Sequence, residues 1–252
     1  MFDTHAHLSD SCFNLDRDRV IKNAVQEGIS GIICVCSDFK ELDVFYRLLE
    51  KYDFIYGAVG IHPHDAAVHK KLQAKLYQTL THNKIVALGE IGLDYHYENS
   101  PRKIQKEVFQ YQLALAKQKK LPVIIHSREA MKDTLKILKQ QEIHRGVIHC
   151  FSGTEEDMKV CLDMGLYISL AGPVTFPKAS KVQNIARLVP LERLIVETDS
   201  PYLAPQPVRG KRNQPVFVKY VIQKISFLKG ILENNLNQIT TQNARKLFNL
   251  DL

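Results

Sequence analysis

Eight short apolar runs punctuate this chain, at residues 2–4, 29–36, 54–59, 84–88, 121–125, 146–148, 166–170 and 194–196. Each is too short for a helix and is bounded by Gly, Pro or polar residues, which predicts buried strands. Amphipathic segments separate them. Ser100-Pro101 reads as an N-cap with Pro at the first helical position, followed by Ile104, Val108, Tyr111 and Leu115 at helical spacing. Thr154 with Asp157 reads as a capping box opening a helix over 158–164, and Gly165 supplies its stop. Eight strands alternating with helices in 252 residues predict a (β/α)8 TIM-like barrel, one domain spanning 1–252, in preference to a doubly wound sheet.

Composition narrows the class. Hydrophobic residues make up 45% and charged residues 24% of the chain, which excludes disordered and low-complexity proteins. Apolar runs such as 121–125 fall far short of the roughly 18 residues of a spanning helix, so no membrane partner is expected. Five cysteines at irregular spacing suit a reducing compartment, with Cys34 and Cys36 read as small buried side chains. Met1-Phe2-Asp3-Thr4-His5 has neither the basic nor the apolar region of a secretion signal. A cytoplasmic, monomeric protein is the expectation.

Thirty-four basic against 27 acidic residues give a net charge of +7. Much of the excess lies after residue 205, where eight basic side chains face only Glu233 and Asp251. A solvated helix face and an anionic substrate both account for such a run.

The strand ends carry the chemistry. His5 and His7 close the first run; Glu90 follows the fourth, His126 the fifth, His149 the sixth and Asp199 the eighth. In a barrel, functional side chains sit at the C-terminal ends of the strands. Four imidazoles and two carboxylates converging there would be costly to bury unless they bind metal or one another. The mixed donors suit Zn²⁺, Mn²⁺, Fe²⁺ or Ni²⁺.

The ordered set His5-Ala6-His7, Gly89-Glu90-Ile91-Gly92-Leu93-Asp94, His126-Ser127-Arg128, His149-Cys150-Phe151-Ser152-Gly153 and Glu197-Thr198-Asp199-Ser200-Pro201 resembles the TatD family of metal-dependent hydrolases. Gly60-Ile61-His62-Pro63-His64 and Arg209-Gly210-Lys211-Arg212-Asn213 resemble further segments of that family, so the likeness spans the chain. It implies an amidohydrolase-type barrel with deoxyribonuclease activity and two divalent ions, Zn²⁺, Mg²⁺ or Mn²⁺. It also implies that His5, His7, Glu90 and Asp199 surround one ion, and that Glu90, His126 and His149 hold a second, with Glu90 bridging. A carboxylate can bridge ions roughly 3.5–4 Å apart, which a neutral imidazole cannot. Related barrels place a carbamylated Lys there; Lys84 stands at the wrong end of the strand, and Glu90 takes that place.

The expected reaction is attack of a metal-activated water on a DNA phosphodiester, Asp199 accepting the proton and His62 assisting the leaving oxygen. Arg128, Lys211 and Arg212 are candidates to bind phosphate, and Tyr95 to stack on a base or pack the rim. Asp3 is expected to hydrogen-bond rather than ligate, while His69, His82, His96 and His144 read as surface residues. His64 and Asp65 are weaker candidates than His62. Gln214 stands where many relatives carry Glu. Hydrolysis of another ester or amide, such as an aminoacyl-tRNA ester, is the alternative, and a non-catalytic nucleic-acid-binding module is a third reading.

Overall fold

A computed structural model describes residues 1–250; Asp251 and Leu252 lie outside the described residues. Eight parallel strands form one sheet in chain order: β1 (Phe2–Ala6), β2 (Gly31–Cys36), β3 (Ile55–Val59), β4 (Ile85–Asp94), β5 (Val123–Arg128), β6 (Gly146–Ile148), β7 (Tyr167–Leu170) and β8 (Leu194–Val196). All eight predicted runs are strands. The seam between β1 and β8 is fastened just past the end of β8. Ser200 bridges Ala6, its carbonyl accepts from the His7 N–H at 2.7 Å, and the Asp199 N–H donates to His5 O at 2.9 Å. Asp3, fully buried, accepts from the N–H and hydroxyl of Thr198 across the same seam at 2.9 and 2.6 Å.

Two strands outrun their apolar stretches. β4 continues to Asp94 and β5 to Arg128 because the two pair from Ile91↔Ile125 to Asp94↔Arg128. Glu90 and His126 therefore stand within strands rather than in the loops after them, His126 paired with Gly92 and Glu90 in the irregular stretch between the Leu88 and Ile91 pairings. Gly92 makes the close approach possible: its φ is 146°, and a Cβ there would meet His126 O at 1.9 Å.

Helices α1 (Arg17–Gln26), α2 (Leu42–Lys51), α3 (His69–Thr79), α4 (Arg102–Lys119), α5 (Met131–Gln140), α6 (Glu155–Asp163), α7 (Ser180–Leu188), α8 (Val218–Lys229) and α9 (Glu233–Phe248) follow or surround the strands. The Thr154/Asp157 capping box forms, so α6 begins at Glu155, earlier than its apolar residues suggested. Ser100 and Pro101 precede α4, with Pro101 as its cap residue. No helix among the described residues is long and apolar enough to cross a membrane.

The barrel interior has two layers. Ile33, Ala58, Ala87, Ile124, Val147, Tyr167 and Ile195 form an apolar floor with Ala244, Leu247, Phe248 and Leu250 from the end of the chain. Arg145 ties that end in place, its guanidinium donating twice to Leu247 O at 3.1 and 2.9 Å. Side chains two residues apart on a strand share a face. The next inward positions above Ile124, Val147, Tyr167 and Ile195 are therefore His126, His149, Ser169 and Glu197. The same alternation that builds the floor lifts the polar residues toward the mouth.

Candidate metal centre

Glu90 is the hub of the mouth. Its Oε1 lies 2.7 Å from both His126 Nδ1 and His149 Nε2. Its Oε2 lies 3.5 Å from His5 Nε2 and 3.9 Å from His7 Nε2. Asp199 Oδ1 faces the second pair, 3.7 Å from His5 Nε2 and 3.5 Å from His7 Nε2. The six side chains expected to ligate metal thus converge, four histidines around Glu90 and Asp199 against His5 and His7. Asp199 adopts a left-handed φ of 58°, a conformation Asp tolerates better than most residues. His62 joins from the loop after β3, its Nε2 3.7 Å from Glu90 Oε1.

The donor chemistry fits divalent cations. The Nε2 atoms of His5 and His7 are 3.2 Å apart, and two ligands at ~2.1 Å from a tetrahedral ion lie about 3.4 Å apart. The sets His5/His7/Glu90, His62/Glu90/His126 and His5/His149/Glu197 each bring three donor atoms within 4.8 Å of one another. His5 Nδ1 is buried without a hydrogen-bond partner, and His5 stacks on His149 at 4.1 Å. An imidazole pair packed this closely suits ligands better than structural histidines.

The carboxylates and imidazoles of the mouth shift one another's proton affinities. Burial alone would raise Glu90, but His149, His62 and His126 hold it well below the usual carboxylate range. Asp199 is likewise lowered, by hydrogen bonding to His7 and the charges of His5 and His149, against burial. Burial disfavours a charged His149, yet Glu90 and Glu197 raise it well above the usual imidazole range. His126 and His7 are raised in the same way, against burial, by Asp94 with Glu90 and by Asp199 respectively. His5 is pushed down by burial and by His149. Burial also pushes His62 down to about 3. His62 Nδ1 accepts from the His64 N–H at 3.2 Å, so its remaining hydrogen sits on Nε2, toward Glu90.

Two carboxylates escaped assignment from sequence. Asp94 Oδ2 lies 3.2 Å from His126 Nε2 and 3.0 Å from His64 Nε2. Glu197 lies 3.3 Å from His149 Nδ1 and accepts from the Cys150 N–H and the Ser169 hydroxyl, each at 2.6 Å. Strand parity would have found Glu197, two residues above the inward Ile195; Asp94, four above Glu90, shares that face only because β4 extends along β5.

The centre opens into a cavity of about 930 Å³ lined by His7, His62, Glu90, His126, His149 and Asp199, among others. Of the four substrate-side candidates, Arg128 alone lines it, its guanidinium 4.7 Å from the Tyr97 ring centre. Arg212 is turned away, donating to Cys12 O and Asp16 and covering Phe13. Lys211 is exposed outside the cavity lining. Tyr95 takes the packing alternative: its hydroxyl donates to Asp133 at 2.8 Å and its ring lies under Arg102 at 4.3 Å. Tyr97 and Tyr202, roughly half exposed, line the mouth instead, with Lys40 and Lys75 as further cations. The basic C-terminal run does not reach the cavity. Lys219 pairs with Glu27, and Lys229 donates to Arg187 O and Val189 O. Asp3 fulfils the expectation of a hydrogen-bonding role. His96 is exposed and pairs with Glu129.

Known proteins resemble this chain over nearly its whole length. The family model described as TatD related DNase matches residues 2–249. YabD of Bacillus subtilis, an uncharacterized metal-dependent hydrolase, is 44% identical and aligns over 100% of both chains. The 3'-5' ssDNA/RNA exonuclease TatD of Erwinia tasmaniensis is 34% identical over 99% of this chain and 100% of its own. The crystal structure of the TatD homologue YjjV from Escherichia coli K12 aligns with a TM-score of 0.93 at 30% identity, covering 100% of this chain and 98% of that one.

Proposed function

Because the chain belongs to the TatD related DNase family and is a metal-dependent hydrolase acting on ester bonds, we propose that it cuts phosphodiester bonds of single-stranded DNA at a dinuclear centre. The observation that carries the reading is the two-sided Glu90, one oxygen facing His126 and His149, the other facing His5 and His7. His5, His7, Glu90 and Asp199 would hold one ion, and Glu90, His126 and His149 the other. Such an ion pair supplies Lewis acidity toward an attacking water and toward the phosphoryl oxygens.

The protein's own groups do the rest. Asp199 keeps its negative charge at neutral pH and opens on the cavity, so it can accept the proton that the attacking water loses. His62 is neutral, and its Nε2–H offers a hydrogen bond to a phosphoryl or leaving oxygen rather than a ready-made acid. Arg128 presents a forked donor to the phosphate flanking the cleaved one. The cavity's single exposed arginine, two exposed lysines and two tyrosines favour a flexible polyanion with accessible bases. The relative from Erwinia, named as acting on both ssDNA and RNA from 3' to 5', supports the same substrate class.

End-labelled single strands of DNA and RNA, incubated with Mg²⁺ or Mn²⁺, test the reading. We expect metal-dependent shortening of DNA from its 3' end, abolished by EDTA and by Asp199→Ala. Intact DNA beside hydrolysis of an aminoacyl ester would replace the nuclease reading with the ester alternative.

A further inference from the structure

We infer that Asp94 is a positioning residue of the metal centre: its carboxylate fixes the ring of His126 so that Nδ1, and not Nε2, is the nitrogen offered on the Glu90 side. The inference rests on the reading that divalent ions occupy this centre.

The geometry of His126 is two-sided. Nδ1 faces Glu90 Oε1 at 2.7 Å, and Nε2 faces Asp94 Oδ2 at 3.2 Å. A carboxylate accepts and never donates when ionised, so Asp94 requires the hydrogen on Nε2. With Nε2–H engaged, the lone pair of the neutral ring belongs to Nδ1, where a cation shared with Glu90 would find it. Asp94 is itself immobile, which an orienting group must be. It is 1% exposed, and its Oδ1 accepts from the backbone N–H groups of His96 and Tyr97 at 2.9 Å. Its own backbone is clamped on both sides by the buried Gln105 amide. Oε1 of that amide accepts from Asp94 N–H at 2.8 Å, and Nε2 donates to Asp94 O at 2.9 Å. The other contact of Oδ2, His64 Nε2 at 3.0 Å, lies on the loop past β3 and outside the ligand set.

Asp94→Asn is the sharp test. Asparagine keeps an oxygen for the His96 and Tyr97 N–H groups but places an NH₂ donor opposite His126 Nε2. The hydrogen of His126 is then driven onto Nδ1, and the lone pair turns away from Glu90. Chelator-stripped wild type, Asp94→Asn and His64→Ala are titrated calorimetrically with Mn²⁺ or Zn²⁺, and bound ion per chain is counted by elemental analysis. The expected result is two ions in wild type and in His64→Ala. In Asp94→Asn one ion weakens by about 10–100-fold, the scale of losing an outer-shell partner, while the other holds. Ring ¹⁵N shifts of the protein saturated with Zn²⁺, where the cation and not a proton faces Glu90, supply an independent readout. Hydrogen on Nε2 in wild type and on Nδ1 in Asp94→Asn supports the assignment, and the same tautomer in both overturns it. Equal ion number and affinity in wild type and Asp94→Asn also overturn it, as does an equal loss in His64→Ala, which would route the effect away from His126. No uptake by wild type would instead remove the metal reading beneath, and the inference with it.

Discussion

The lower and upper layers of the barrel interior are built by the same strands and obey opposite rules. In the floor, Ile124, Val147, Tyr167 and Ile195 meet the apolar end of α9 and bury nothing charged. One strand step higher, His126, His149 and Glu197 crowd with His5 and Glu90, and His5 Nδ1 is left without a partner. Apolar burial in the floor stabilises at about 25 cal/mol per Å². The mouth sets desolvation of several ionisable groups against their mutual pairing, a balance that is often near neutral. The fold is therefore held from below, and the mouth is free to be arranged for ions.

The sharpest way to break that comparison is Glu90→Gln. The amide cannot serve both imidazole pairs as an anionic bridge. The expected loss of nuclease activity exceeds the roughly 10²–10³-fold of deleting a single oxyanion-hole donor, with ion content falling below one per chain. The metal-free melting temperature should fall only modestly, because the imidazoles that lose their partner can shed their protons while the floor is untouched. A collapse of the metal-free fold in this variant would show that the mouth carries stability after all.

Phe248→Ala probes the other layer. The side chain is 2% exposed against the floor, and truncation of a buried Phe costs about 3–5 kcal/mol. Denaturant unfolding should show that loss with ion affinity unchanged in the folded protein. A parallel fall in ion affinity would mean the two layers are mechanically coupled.

pH separates the layers as well. His149, His126 and His7 are raised in the metal-free protein. Their stabilisation is complete below the usual imidazole pKa and is lost as pH rises through their folded values. Glu90 and Asp199 are lowered. They stabilise above the usual carboxylate range, and that contribution is lost as pH falls through their folded values. Ions compete with the imidazole protons, so affinity should climb by about tenfold per pH unit for each proton displaced. The gap in melting temperature between loaded and stripped protein should widen from pH 6 to 8. Calorimetry in buffers of different ionisation enthalpy would count the released protons; zero protons would contradict the charged imidazoles.

Much of this molecule was legible in order along the chain. Runs of β-branched residues marked all eight strands, and the histidines or carboxylates at five of the strand ends marked the candidate ligands, because both signals are local. Through-space pairing was not. Asp94 lies 32 residues from the His126 it holds, and the extension of β4 that brings it there depends on β5. Arg212 looked like a phosphate ligand until the loop after β1 supplied Asp16 as its partner. Charge counts locate cations in sequence, whereas the cavity takes them from three separate elements: Lys40 from the loop after β2, Lys75 from α3 and Arg128 from the end of β5.

That last contrast yields the smallest predicted effect and the most direct check on where substrate lies. Arg128 lines the cavity beside Tyr97, and Lys211 is exposed away from it. A hydrogen bond to a charged group contributes about 1.5–3 kcal/mol, so Arg128→Ala should raise KM for single-stranded DNA by about 10–100-fold with kcat little changed. Lys211→Ala, despite removing the same formal charge, should leave KM within twofold, the scale of a surface substitution at about 0.5 kcal/mol. Measured at two salt concentrations, the Arg128 variant alone should show a shallower salt dependence. Equal effects from the two variants would mean that the strand is drawn in by net charge and not by the cavity wall.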